Sequence, residues 1–156
     1  MRSRTRVFLA LVLAAAPMFV APSPAYADAY GITALGAFDY TFQGLKFTVP
    51  NGFFFQHAIH GSGLVITQEL ADIVAMGPAV VESGFCNWRI DFQYEDAEGK
   101  IYRTDRGPQA TNCAKYDIVR AIPNTRTLPT YGRSCAIFYV NGAERVRQCH
   151  FIVQPS

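Results

Sequence analysis

Cys86-Asn87-Trp88-Arg89-Ile90-Asp91-Phe92-Gln93-Tyr94 decides the fold class. Cys86, Trp88, Ile90, Phe92 and Tyr94 take every second place, with Asn87, Arg89, Asp91 and Gln93 between them. Successive side chains of an extended chain point to opposite faces, so this stretch reads as a strand with one apolar face. Residues 95–99 form the turn after it and 100–104 the return. Upstream, 38–42 alternates in the same way and 45–49 follows. Pro50-Asn51-Gly52 turns the chain into a strand at 53–57. Gly61-Ser62-Gly63 reads as a flexible break before a strand at 64–70, and 71–82 fits a strand or one short helix. Downstream, 107–112 reads as loop and 116–121 as strand. Residues 122–134 carry two prolines, Asn and Gly, and should form a long exposed loop. The expectation is an all-β fold, a small disulfide-bonded β-sandwich or barrel of about eight short strands. Composition agrees: 12 Gly, 9 Pro and 13% aromatic residues suit strands and turns better than a helical bundle.

The 156 residues fit one domain, and 50% apolar against 17% charged residues can bury a core. The first 27 residues read as a secretory signal peptide. Arg2, Arg4 and Arg6 precede an apolar run from Val7 to Ala16, and Ala25-Tyr26-Ala27 has the small residues of a cleavage site. The run is short for a bilayer, and Pro17, Pro22 and Pro24 interrupt the residues after it, so an anchor is not expected. Residues 28–156 are then a single secreted β domain, with 28–36 a flexible tail. Removing the signal takes three of the 14 basic residues and leaves a slight acidic excess, 12 acids to 11 bases. Nine of those acids lie in 28–99 and nine of the bases in 100–156. Either the two sets interleave in the fold, or they polarise the surface toward a charged partner; interleaving is expected of a β domain. There is no basic cluster for nucleic acid, and no membrane partner is expected.

All four cysteines, Cys86, Cys113, Cys135 and Cys149, lie in the exported part, and an even number there argues for two disulfides. No short-spaced Cys pair suggests a metal site. Residues 135–140 and 144–152 read as a hairpin joined at Asn141-Gly142. With a three-residue loop, Cys135 sits opposite Cys149, Ile137 opposite Arg147 and Tyr139 opposite Arg145. A two-residue loop would put Gln148 opposite Cys135. The first register pairs Cys135 with Cys149 and leaves Cys86 with Cys113.

Catalytic groupings are weak. His57 and His60 would point to opposite faces of a strand, so neither a metal nor another cofactor is expected. Gly61-Ser62-Gly63 lacks the glycine spacing of a nucleophile elbow, disulfides occupy the thiols, and pairs such as Asp91 with Glu95 or Asp39 occur in any small protein. The chain reads as a non-enzyme. Arg89 and Asp91 read as an exposed ion pair. The last hairpin mixes Tyr139, Ile137, Arg145 and Arg147 around a disulfide, which is interface composition; otherwise the arginine stems simply cover apolar surface. The adjoining loop adds Arg126, Tyr131 and Arg133 as candidate partner-binding residues.

The segments Phe85 to Phe92, Gly99 to Thr104, Cys113, Cys135 to Gly142 and Gln148-Cys149-His150, with His60 to Leu64, resemble small exported actinobacterial proteins. The best-understood of that type are the adaptor subunits of the umbrella toxin particles. That resemblance implies a non-catalytic adaptor with two secreted protein partners, a repeat-containing toxin-bearing subunit and a lectin subunit, in an antibacterial particle. It further implies that the amino-terminal stretch, here residues 28–45, and the disulfide-held loops make the joints. A secreted protease inhibitor is the alternative: a disulfide-supported loop could present Arg126 or Arg133 to a trypsin-like enzyme.

Overall fold

A computed structural model describes residues 28–75, 84–115 and 117–154. The signal segment 1–27 and most of the ambiguous stretch after Ala75 lie outside the described residues. The fold is all-β and carries two disulfides. Twelve strands occur among the described residues, rather than about eight. In chain order they are β1 Ala29–Leu35, β2 Phe38–Phe42, β3 Leu45–Val49, β4 Phe53–Ser62, β5 Val65–Ala75 and β6 Phe85–Asp96. After these come β7 Ile101–Asp105, β8 Ala110–Ala114, β9 Val119–Ile122, β10 Arg126–Thr127, β11 Gly132–Val140 and β12 Ala143–Ile152.

Two open sheets pack as a sandwich. One runs β1-β4-β5-β10, with β9 also on β5; the other runs β12-β11-β6-β7, with β8 also on β6. The β2–β3 hairpin covers one end, where Tyr40 Oη donates to the Gly84 carbonyl and accepts from Cys86 N–H. The alternating faces meet in one core, in which Phe85 packs edge-on against both Phe53 and Phe138. Arg120 spans the open side: its Nη1 donates to the carbonyls of Ile90 and Asp105, and its guanidinium lies over Phe92.

Several sequence expectations need correction. Residues 28–36 are not a free tail: β1 pairs with β4 from Ala29↔Ile59 to Leu35↔Phe53. Alternation in β1 is masked by Gly31 and Ala34; a Cβ at Gly31 would press on the side chains of Gln148 and His150 on β12, which would have to shift. The glycine stretch 61–63 ends β4 and opens the turn to β5, and 110–114 is strand rather than loop. Residues 122–134 are not a long exposed loop. β10 pairs with β5, Leu128 is buried and donates its N–H to the Leu64 carbonyl, and 132–134 already belong to β11.

The final hairpin decides between the two registers. Cys135 does face Cys149, and Cys86 faces Cys113; both pairs are disulfides. The turn nonetheless has two residues, Asn141 and Gly142, both in the left-handed region with φ 53° and 81°. A β-bulge at Arg145 adds one residue to β12, so Tyr139 faces Glu144 while Phe138 faces Val146. The bulge restores the register that a three-residue loop would have given. Arg145 therefore does not lie opposite Tyr139; its guanidinium sits over the Phe38 ring, 4.2 Å from the centroid.

Candidate functional site

The outer face of the second sheet carries the disulfide and most of the candidate interface. Arg133, Cys135, Ile137 and Tyr139 of β11 lie between Arg89, Asp91, Gln93 and Glu95 of β6 and Arg147, Cys149 and Phe151 of β12. Ile137 and Cys135 are buried there, under arginines already engaged. Arg133 bonds Glu95. Arg147 reaches Glu144, the Gln93 amide oxygen at 2.7 Å and Glu95 at 3.8 Å. Arg89 lies over the Tyr139 ring and pairs with Asp91, which also accepts the Gly107 N–H. That pair is buried rather than exposed: the two side chains retain 12% and 6% of their accessible surface. Acids from the first half of the chain thus meet bases from the second (Arg133 and Arg147 on Glu95, Arg126 on Glu69), so the sequence polarity interleaves.

Beside these paired charges, apolar side chains stand in water. One row crosses four strands as Phe151, Arg133, Glu95 and Ile101, and its two ends are 73% and 51% exposed. Val153, just past β12, is 69% exposed. A groove of about 460 Å³ opens at this end of the sheet, between the 96–99 turn, Tyr131 and residues 151–154. Of the sequence candidates, Tyr131, Arg133, Tyr139 and Arg147 belong to this face or its groove end. Arg126 and Arg145 do not.

Arg126 instead enters the core, where the fold assembles a polar cluster that sequence reasoning missed. Glu69 of β5 is wholly buried. Its Oε1 accepts from Ser134 Oγ at 2.6 Å and contacts His57 Nε2 at 2.9 Å. Its Oε2 accepts from Tyr94 Oη at 2.6 Å and from Arg126. The cluster joins both sheets: β4 and β5 meet β6 and β11, and β10 lays the arginine across them. A buried carboxylate is tolerated only when its oxygens are paired in this way. Ser134, His57 and Glu69 do come together, but the serine hydroxyl donates to the carboxylate, not to the imidazole, and His57, Glu69 and Ser134 have no exposure to substrate. That arrangement braces the sandwich and does not activate a nucleophile.

Burial holds the His57 imidazole down to about 4, and the nearby Arg126 guanidinium acts in the same direction. His57 is therefore neutral at pH 7. His150, whose ring lies tilted beside it at 4.9 Å between centroids and whose Nε2 bonds the His57 carbonyl, is also held below the usual histidine value by burial. An unfolded histidine binds its proton near pH 6.5, so below that pH the unfolded state takes up more protons than the native one. Stability should be full above pH 6.5 and fall as pH drops toward 4. Urea unfolding at pH 7.0 and pH 4.5 should differ by about 2–3 kcal/mol through His57 alone. His57→Gln should flatten that slope; an unchanged slope would remove the assignment.

His60, the other member of the H-x-x-H pair, lies on the opposite side of β4, exposed and 3.3 Å from Asp28. Among the described residues, no helix is long and apolar enough to cross a membrane. Comparison of the chain with protein-family models, with curated proteins and with solved structures found no match.

Proposed function

We propose that the protein is an exported, non-catalytic adaptor whose disulfide face docks other secreted proteins. The observation that supports this most directly is the Phe151–Arg133–Glu95–Ile101 row. A sheet face with large apolar side chains standing 73% and 51% exposed, around ion pairs and a disulfide, has the mix of aromatic, aliphatic and arginine groups found at protein interfaces. The partners implied by the family resemblance are a repeat-containing toxin subunit and a lectin subunit of an antibacterial particle. The inhibitor alternative draws no support from its two arginines: Arg126 is tied into the core, and Arg133 is paired on both sides within β11.

The test is a tagged pull-down from native culture supernatant, read by mass spectrometry, with Phe151→Glu beside the unmodified chain. The unmodified chain should recover a large repeat protein together with a lectin-like protein. Phe151→Glu should lose one of them by tenfold or more, because a charge replaces the most exposed aromatic of the proposed contact. Recovery of a single protease would replace this reading with the inhibitor, and recovery of neither class would overturn it.

A further inference from the structure

The groove beside Phe151 is shaped and charged as well as exposed. Its floor and one wall are apolar: Tyr131, Phe151, Ile152 and Val153. Its other wall is the β6–β7 turn, with Asp96 and Glu98. That turn is fixed by three hydrogen bonds: Asp96 N–H to the Lys100 carbonyl, Gly99 N–H to the Asp96 carbonyl, and Lys100 N–H to Asp96 Oδ1. The base of the groove is fixed as well. Gly132 brings β11 so close to β6 that a Cβ there would meet the Glu95 carbonyl oxygen at 2.0 Å. The turn and the base of the cavity are thus pre-organised by backbone contacts.

Its charge is one-sided. Arg133, the one cation among the described residues lining the groove, is paired with Glu95. Asp96 and Glu98 line it with no ion pair to any described residue. An apolar channel with such carboxylates along one wall favours an occupant that supplies both missing parts. We infer that the groove takes an extended segment of a partner protein in which apolar side chains alternate with lysine or arginine. The apolar groups would lie on Phe151, Val153 and Tyr131, and the cation would face Glu98 and Asp96. This deepens the adaptor reading and rests on it: the groove would be one of the adaptor's two docking sites.

The probes are two capped hexapeptides, one alternating leucine with lysine and one alternating leucine with glutamate. Each is titrated into the isotope-labelled protein and followed by amide NMR shifts. The leucine–lysine peptide should shift residues 96–99, 131–133 and 151–154 saturably, and raised salt should weaken it. The leucine–glutamate peptide should bind at least several-fold more weakly. Glu98→Lys should weaken the basic peptide several-fold, and Val153→Ser should weaken it by a similar factor through lost apolar contact. Both positions are exposed, so unchanged shifts elsewhere will verify that these variants fold. Equal binding of the two peptides, preference for the acidic one, shifts located elsewhere, or no shifts at all would each overturn the inference. The adaptor reading is judged separately: it stands if the unmodified chain still recovers both partner classes, and falls if it recovers neither.

Discussion

Replacing Glu69 by alanine should destabilise the domain by about 3–5 kcal/mol, the range seen when one partner of a buried ion pair is removed. The size reflects the groups left behind. Arg126, with 10% of its side chain accessible, would keep a buried charge without its carboxylate. Ser134, Tyr94 and His57 would each lose their bond to Glu69 in a core closed to solvent. A domain of this size has about 5–15 kcal/mol of net stability, so the variant should unfold at markedly lower urea. Glu69→Leu combined with Arg126→Leu should cost much less than the two single changes added together, because it removes both charges instead of stranding one. The exposed Lys46–Asp39 pair supplies the contrast: Lys46→Ala should leave the unfolding midpoint within error, since water already solvates both groups. Strict additivity of the two leucine substitutions would show that Glu69 and Arg126 do not act as a unit.

This cluster also marks where sequence reading stops. The strand Phe85–Asp96 was legible because its period-two pattern has one reading, and the final hairpin because Asn141-Gly142 marks a tight turn between two strands that each carry a cysteine. The bulge at Arg145 was not legible. An extra residue leaves the hydrophobic pattern intact on one side of it and reverses it on the other, so loop length and bulge compensate: a three-residue loop without the bulge misassigns Tyr139, and a two-residue loop without it misassigns Cys135. A second bulge, where His60 pairs with Gln68 and Gly61 with Ile66, hides Glu69 in the same way. Thr67 is the extra residue, so the simple alternation through Ile66 fails to show that Glu69 shares the buried face with Ala71. Its partner Arg126 lies 57 residues away in a segment whose prolines suggest exposure. Proline and glycine signal an irregular backbone, and an irregular backbone can still cross a core if, like Leu128 and Arg126, it finds partners there. On the outer face the residue types were right for an interface, but only the pairing register shows that Arg133 and Arg147 are occupied by Glu95 and that Phe151 and Ile101 are the groups left in water.

The two disulfides should contribute nearly equally to global stability and very differently to local order. In the chain-entropy picture, closing loops with separations of 14 and 27 residues is worth about 3 kcal/mol each, slightly more for the longer. Cys135→Ala with Cys149→Ala, and Cys86→Ala with Cys113→Ala, should therefore both lower the urea midpoint by a similar amount. Alanine is the right replacement, because Cys135 and Cys86 are fully buried and a serine hydroxyl would add an unpaired polar group. The local effect depends on what else holds each strand. β11 pairs with β12 from Gly132↔Ile152 to Val140↔Ala143 and with β6 on its other side, so the hairpin persists without its disulfide. β8 is held to β6 at only three registered positions, with a bulge between them, and Cys113 itself is exposed. Hydrogen exchange should therefore speed up sharply across 110–114 in the Cys86/Cys113 variant and stay near the unmodified rate across 132–140 in the Cys135/Cys149 variant. Rapid exchange across 132–140 after loss of Cys135–Cys149 would mean that the disulfide, and not the two ladders, keeps the proposed docking face in shape.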